Sequence, residues 1–189
     1  LVVQRLYNRH ESYKVNMIPA LMAMIMIMIC GFLPALNIVG EKEAGTIEQI
    51  NVTPVRKWLF ILAKLIPYWV IALIDFSICL LLSWLLYGIT SVGSIALLFV
   101  FAIALAIVFS SIGLIISNYS DSLQQAMLVM WFALVCMMLL SGLFTPVRSM
   151  PDWAQILTYA NPVRHYMDAA RTIFIRGSAF SGVVLQFFI

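Results

Sequence analysis

The stretch MIPALMAMIMIMICGFLPALNIV, residues 17–39, carries no charged side chain and runs directly into GEKEAGTIEQI, residues 40–50, where four positions are charged. Twenty-three positions, at ~1.5 Å per helical residue, are enough to cross a ~30 Å hydrocarbon core. A helix of that composition has no polar face to show to water, so the run is a membrane span that leaves the lipid at about Gly40. Pro19 stands near its start, and Gly31 and Pro34 inside it predict a kink near Pro34.

The same pattern repeats along the chain. A second apolar block runs from about Trp58 to Tyr87, broken by Lys64, Pro67 and Asp75, and is long enough to tilt or to project beyond the core. A third covers Val92 to Ile116, a fourth Ala126 to Leu143, and a last one starts near Phe180 and runs to Ile189. The expectation is an all-α polytopic membrane protein with four complete spans and the start of a fifth. Composition agrees: of 189 residues, 63% are hydrophobic and 10% charged, against roughly 25% charged in soluble domains. The net charge of +3 is small and dispersed, which argues against nucleic acid as a partner. Cys30, Cys79 and Cys136 each sit inside an apolar block, at spacings that suggest neither a zinc site nor a disulfide framework. No basic segment with a cleavage site precedes the first block, and the chain is expected to begin within a longer protein.

Most of the polar chemistry lies in the connections. Gly88 to Ser91 is a tight turn that predicts a helical hairpin, and Asn118 to Gln125 is a short polar turn in which Asp121 reads as a helix-start acid. Gly40 to Arg56 is an elbow. Gly45 permits a turn, and Thr46 with Gln49 three positions on fits a capping box opening a short helix with Ile47 and Ile50 on one face. Thr53-Pro54 is a second helix start. A helix of one or two turns has little stability alone and needs support. The elbow, residues 41–56, therefore either lies on the membrane surface as an interfacial loop or presses into a partner.

From Thr145 to Gly177 the chain is too patterned for a plain loop. Pro151 can open one helix, and Asn161-Pro162 repeats an Asn cap with proline first. Tyr166, Ala169, Ala170, Ile173 and Phe174 fall along one side, while Arg164 and Arg171 lie elsewhere within reach of Asp168. Two short amphipathic helices joined at Tyr159-Ala160 fit either a peripheral interfacial pair or a helical hairpin buried among the spans.

Covalent chemistry is sparse. His10 and His165 are far apart, no cluster has metal-ligand spacing, and no Gly-rich phosphate loop is followed by Lys and Ser or Thr. No catalytic residue, metal site or resident cofactor is assigned to this chain. Asp75 is the one acid deep in a span, ~25 Å along the helix from Trp58. It is either a polar wall of a substrate path or a structural hydrogen-bonding group. Ser110, Ser111, Gly113 and Ser117 permit close helix approach, and Met22, Met24, Met26 and Met28 read as lipid-facing or flexible core filling.

GEKEAGTIEQINVTPV, residues 40–55, resembles the characteristic stretch of the ABC-2 family of ATP-binding-cassette transporter permeases. SGLFTPV at 141–147, MPDW at 150–153, NPVRHY at 161–166, Ala169-Ala170-Arg171 and Arg176-Gly177 resemble a later segment of the same family. The resemblance implies an ABC-2, type V exporter-like, transmembrane domain present in part. Residues 1–16 would be the tail of an extracytoplasmic domain and residues 17–189 the membrane domain. Glu41, Glu43, Gly45, Thr46, Ile47, Glu48, Gln49 and Ile50 would couple to a separate ATP-binding-cassette ATPase subunit that carries ATP and Mg. Residues 145–177 would form a re-entrant hairpin, with Pro146, Pro151, Asn161, Pro162, Arg164, Tyr166 and Arg171 as gating candidates. A second permease copy or homologous half would complete the pathway, in a multi-pass protein of the plasma membrane, for instance the bacterial inner membrane. The implied orientation runs against the Lys and Arg count. Lys42, Arg56, Lys57 and Lys64 fall on the cytoplasmic side, against Arg5, Arg9, Lys14, Arg148, Arg164, Arg171 and Arg176 opposite. An alternative from another class is a non-transporting membrane assembly or anchor protein whose elbow binds a partner.

Overall fold

A computed structural model describes residues 13–47, 56–87, 94–142 and 150–173, with side chains described from Met17 onward. Its elements are all helical: α1 (Tyr13–Ile27), a π-helical turn (Met28–Phe32), α2 (Leu33–Glu43), α3 (Lys57–Tyr87), α4 (Ile95–Tyr119), α5 (Leu123–Leu139), α6 (Asp152–Tyr159) and α7 (Pro162–Arg171). Three helical stretches are long and apolar enough to cross a membrane, Met17–Glu43, Lys57–Leu86 and Ile95–Tyr119, and α5 is a shorter apolar helix.

The first block is one continuous helical path with a defect in the middle. Pro34 has no N–H to give to the carbonyl one turn back, that of Cys30. The chain widens into a π turn just before it, and Ser110 Oγ of α4 reaches the Cys30 carbonyl at 3.0 Å. The expected irregularity near Pro34 is therefore a wide turn supported from a neighbouring helix. Trp69 Nε1 of α3 donates to the same Ser110 Oγ at 2.7 Å, so one hydroxyl joins three helices. Lipid offers no hydrophobic drive between spans, so such hydrogen bonds and close packing hold the bundle.

The closest approach is at Gly31 and Gly113, where a Cβ on Gly113 would stand 2.4 Å from the Gly31 carbonyl oxygen. Around that crossing α4 buries Leu98, Ala102, Leu105, Ala106, Phe109, Ser110, Gly113 and Ser117, a stripe at helical spacing. Ser111 instead is exposed, its hydroxyl bonded to its own helix at Ile107. Met22 and Met26 are core, while Met24 and Met28 are only partly buried against it. Phe76 of α3 meets Phe99 of α4 edge-on at 5.4 Å. Along the rest of α3, Ile66, Val70, Ile74, Ile78 and Leu81 point outward, as a lipid-facing helix requires.

Helix ends differ from those read from hydropathy. The first span does not stop at Val39; α2 continues helical through Glu43. α4 starts at Ile95 and ends at Tyr119, and α5 runs from Leu123 to Leu139, ending before Leu143. Hydropathy marks where lipid ends, whereas helix ends are set by capping. At α5, Ser122 Oγ accepts from the Gln125 N–H, so Ser122, not Asp121, is the cap. The turn expected at Gly88 to Ser91 and the start at Thr53-Pro54 lie outside the described residues, as does the block from Phe180.

Candidate functional site

The elbow begins where α2 ends. Ala44 N–H returns to the Gly40 carbonyl and Gly45 N–H to that of Lys42, and Gly45 takes φ +73°. That left-handed position is what glycine permits without a Cβ penalty. Thr46 and Ile47 then turn helical again, and Glu48, Gln49 and Ile50 lie outside the described residues.

The three charges before the turn are all engaged within the chain. Glu41 forms an ion pair with Lys64 of α3, and Lys64 Nζ also donates to Asn37 Oδ1 at 2.7 Å. Asn37 and Glu41 are one turn apart on α2, so the pair makes a socket for the lysine. Lys42 Nζ reaches Asp121 Oδ1 at 2.8 Å and the carbonyls of Ser120 at 3.0 Å and Asn118 at 3.4 Å. Glu43 Oε1 accepts from the backbone N–H of Leu123, the first residue of α5, at 2.8 Å. Lys42 and Asp121 were invisible as a pair in the sequence, being 79 positions apart. The one available signal was a lone cation among acids at the exit of a span.

The hairpin region lies at the other end of α5. Asn161 Oδ1 accepts from Val163 N–H and its Nδ2 donates to the carbonyl of Met137 at 2.7 Å. One side chain thus caps α7 and ties it to α5. From Leu123 to Met137, α5 covers ~21 Å, which separates the elbow contacts from the hairpin by most of a bilayer core. α7 buries Val163, Tyr166, Met167, Ala169 and Ala170 and packs on α1 and α4; spacing predicted Tyr166, Ala169, Ala170 and the buried Ile173 on one side, but not Val163 or Met167. Arg164 pairs with Asp168 at 3.7 Å and lies over the Tyr159 ring at 4.4 Å. Pro162 is the first residue of α7, and Pro151 precedes α6 as its cap position. Tyr166 hydroxyl and Arg171 Nε are buried without a hydrogen-bond partner among the described residues. Pro146 and Phe174 lie outside the described residues.

Asp75 joins neither group. It is half-buried on α3, with Cys79 Sγ 3.9 Å from Oδ2, a weak contact at most. Lys64, held in the charged network at the elbow end, lies eleven residues away, or ~16 Å along the helix. Among the described residues, no group of three or more His, Cys, Asp or Glu is arranged to hold a metal ion.

Long apolar helices joined by polar turns, crossing at small residues and tied by hydroxyls, define a polytopic helical membrane domain. The chain belongs to the ABC-2 type transporter family, whose model matches residues 1–175. It is 32% identical over 179 residues to the Escherichia coli K12 protein named "Probable multidrug ABC transporter permease YbhR", covering 95% of this chain and 49% of that one. It is 31% identical to the E. coli "Inner membrane transport permease YhhJ", covering 79% of this chain and 40% of that protein. A Dictyostelium discoideum protein, "ABC transporter G family member 20", is 24% identical over 93% of this chain and 24% of its own length. The chain spans about half the length of the bacterial relatives it matches best among these. No solved structure matches it.

Proposed function

We propose that this chain is the membrane-spanning permease part of an ATP-driven exporter of the bacterial inner membrane. Its elbow docks on a separate ATPase subunit that binds ATP and Mg, and a second permease copy or homologous half completes the pathway. The family membership and the relatives' names as transport permeases support this reading. The observation that carries it is local. α2 continues past the apolar run, turns at Gly45 and starts a new helix at Thr46-Ile47. The rest of that helix lies outside the described residues; a helix as short as its sequence predicts needs a partner. In this reading the elbow faces the cytoplasm and the hairpin of α6 and α7 caps the opposite mouth. Asp75 is a polar wall of the path, since a carboxylate inside an apolar span faces protein, water or a ligand rather than lipid.

The test is ATPase retained per permease after purification of the complex, with transport in cells. Ile47→Ala with Ile50→Ala removes apolar docking surface; such truncations cost ~2–5 kcal/mol in a core, and less at an interface edge. Glu48→Lys keeps the chain intact but reverses one charge that would face a partner's rim. Both variants are expected to insert normally and to retain less ATPase, the double alanine less than Glu48→Lys. Full retention with normal transport in both would reduce the elbow to an interfacial loop.

A further inference from the structure

Glu41, Lys42 and Glu43 stand out because each is spent inside the chain, on a different neighbour. Successive helical residues point ~100° apart, so Glu41 and Glu43 diverge to nearly opposite sides of α2. Glu41 goes to Lys64 of α3. Glu43 goes to the first N–H of α5, and Lys42, between them, goes to the last carbonyls of α4 and to Asp121.

The signs match the helix ends they meet. The C-terminal end of α4 exposes carbonyls carrying partial negative charge, and Lys42 is the cation placed there. The N-terminal end of α5 exposes N–H groups carrying partial positive charge, and Glu43 is the anion placed there. Ser122 and Gln125 complete the cap: Gln125 N–H donates to Ser122 Oγ, and Asp121 N–H donates to Gln125 Oε1. An exposed ion pair alone would contribute little, and Asp121 is well exposed. Four bonds from two adjacent residues onto one six-residue segment, Asn118 to Leu123, are a different object. They fix both position and orientation of that turn.

We propose that Glu41, Lys42 and Glu43 are positioning residues that clamp the elbow to α3 and to the α4–α5 turn, so that a displacement of the elbow carries three helices with it. The clamp rests on the reading of the elbow as the element an ATPase moves. It lies beside that docking surface and does not form it: both acids before Gly45 bond to the chain's own helices, Glu41 to Lys64 and the exposed Glu43 to the Leu123 N–H. α2 also packs directly on α3, α4 and α5, and the clamp adds polar bonds to that packing at its elbow end.

The experiment uses the permease purified with its ATPase in lipid nanodiscs. Cys30, Cys79 and Cys136 are replaced, and spin labels are placed at Ala44→Cys, on the elbow, and Tyr119→Cys, at the end of α4. Continuous-wave dipolar broadening between the labels is recorded without nucleotide and after trapping with ATP and vanadate. With the native clamp, strong and unchanged broadening is expected in both states, because the two labels ride on one unit. Lys42→Glu and Glu43→Ala are each expected to lose most of the broadening, in the trapped state above all. The double variant Lys42→Glu with Asp121→Lys is expected to regain at least about half of it, as coupled charge pairs do. Glu43→Gln, which keeps an acceptor for the Leu123 N–H, is expected to stay near wild type. Broadening that survives both single variants, a double variant no better than Lys42→Glu, or a wild-type signal that changes on trapping would each overturn the clamp. Failure of the ATPase to co-purify with the wild type would instead count against the docking reading, and the nucleotide-free spectra would still decide the clamp.

Discussion

Gly113→Ala tests the packing argument most directly. The added Cβ would lie 2.4 Å from the Gly31 carbonyl oxygen, with the Gly31 carbonyl carbon and Cα at 3.2 and 3.3 Å. All three are backbone atoms, so no side chain can rotate away. Carbon–oxygen contacts settle at ~3.3 Å or more, and the helices must separate by about 0.9 Å. That shift stretches the Ser110–Cys30 hydrogen bond, now 3.0 Å, beyond bonding range. Overpacking costs ~1–3 kcal/mol and the lost bond ~0.5–1.5 kcal/mol. Alanine returns ~0.8–1 kcal/mol in helix propensity. The net expectation is a destabilisation of about 1–3 kcal/mol, read as a thermal midpoint lower by roughly 2–10 °C in detergent. Gly40→Ala is the control: its Cβ would meet only Leu123 side-chain atoms, at 3.7 Å and beyond. It should leave the midpoint unchanged or slightly raised. If Gly113→Ala matches Gly40→Ala, the helices do not cross where described.

Asn161→Ala removes both the α7 cap and the tie to Met137; a cap alone is worth ~1 kcal/mol. Faster limited proteolysis between residues 150 and 173 is expected, with Asn161→Asp, which keeps the cap acceptor, falling between alanine and wild type; unchanged cleavage would mean the hairpin is held elsewhere. Asp75→Asn keeps shape and removes charge, so transport and substrate-stimulated ATP hydrolysis are expected to fall at near-normal membrane abundance. Normal transport would return Asp75 to a structural role.

Membrane class, all-α architecture and the turn at Gly45 were legible in the sequence because each is written locally. An uncharged run has no place but lipid, and Gly45 followed by Thr46 marks a turn whatever surrounds it. Part of the inner face of α7, Tyr166, Ala169 and Ala170, was legible for the same reason, since helical spacing alone decides which side chains share a side. What the tertiary structure decided is pairing across distance. Lys42 meets Asp121, Glu43 meets the Leu123 N–H, Ser110 meets Cys30, and Gly113 meets Gly31. Nothing in the chain near Ser110 says that its hydroxyl will serve a proline defect eighty residues earlier. Nor does the charged triplet Glu41-Lys42-Glu43 disclose that its charges meet the chain's own helices. A side chain's type is fixed locally, but its partner depends on which helix ends the fold brings alongside, and that is settled only when the helices pack.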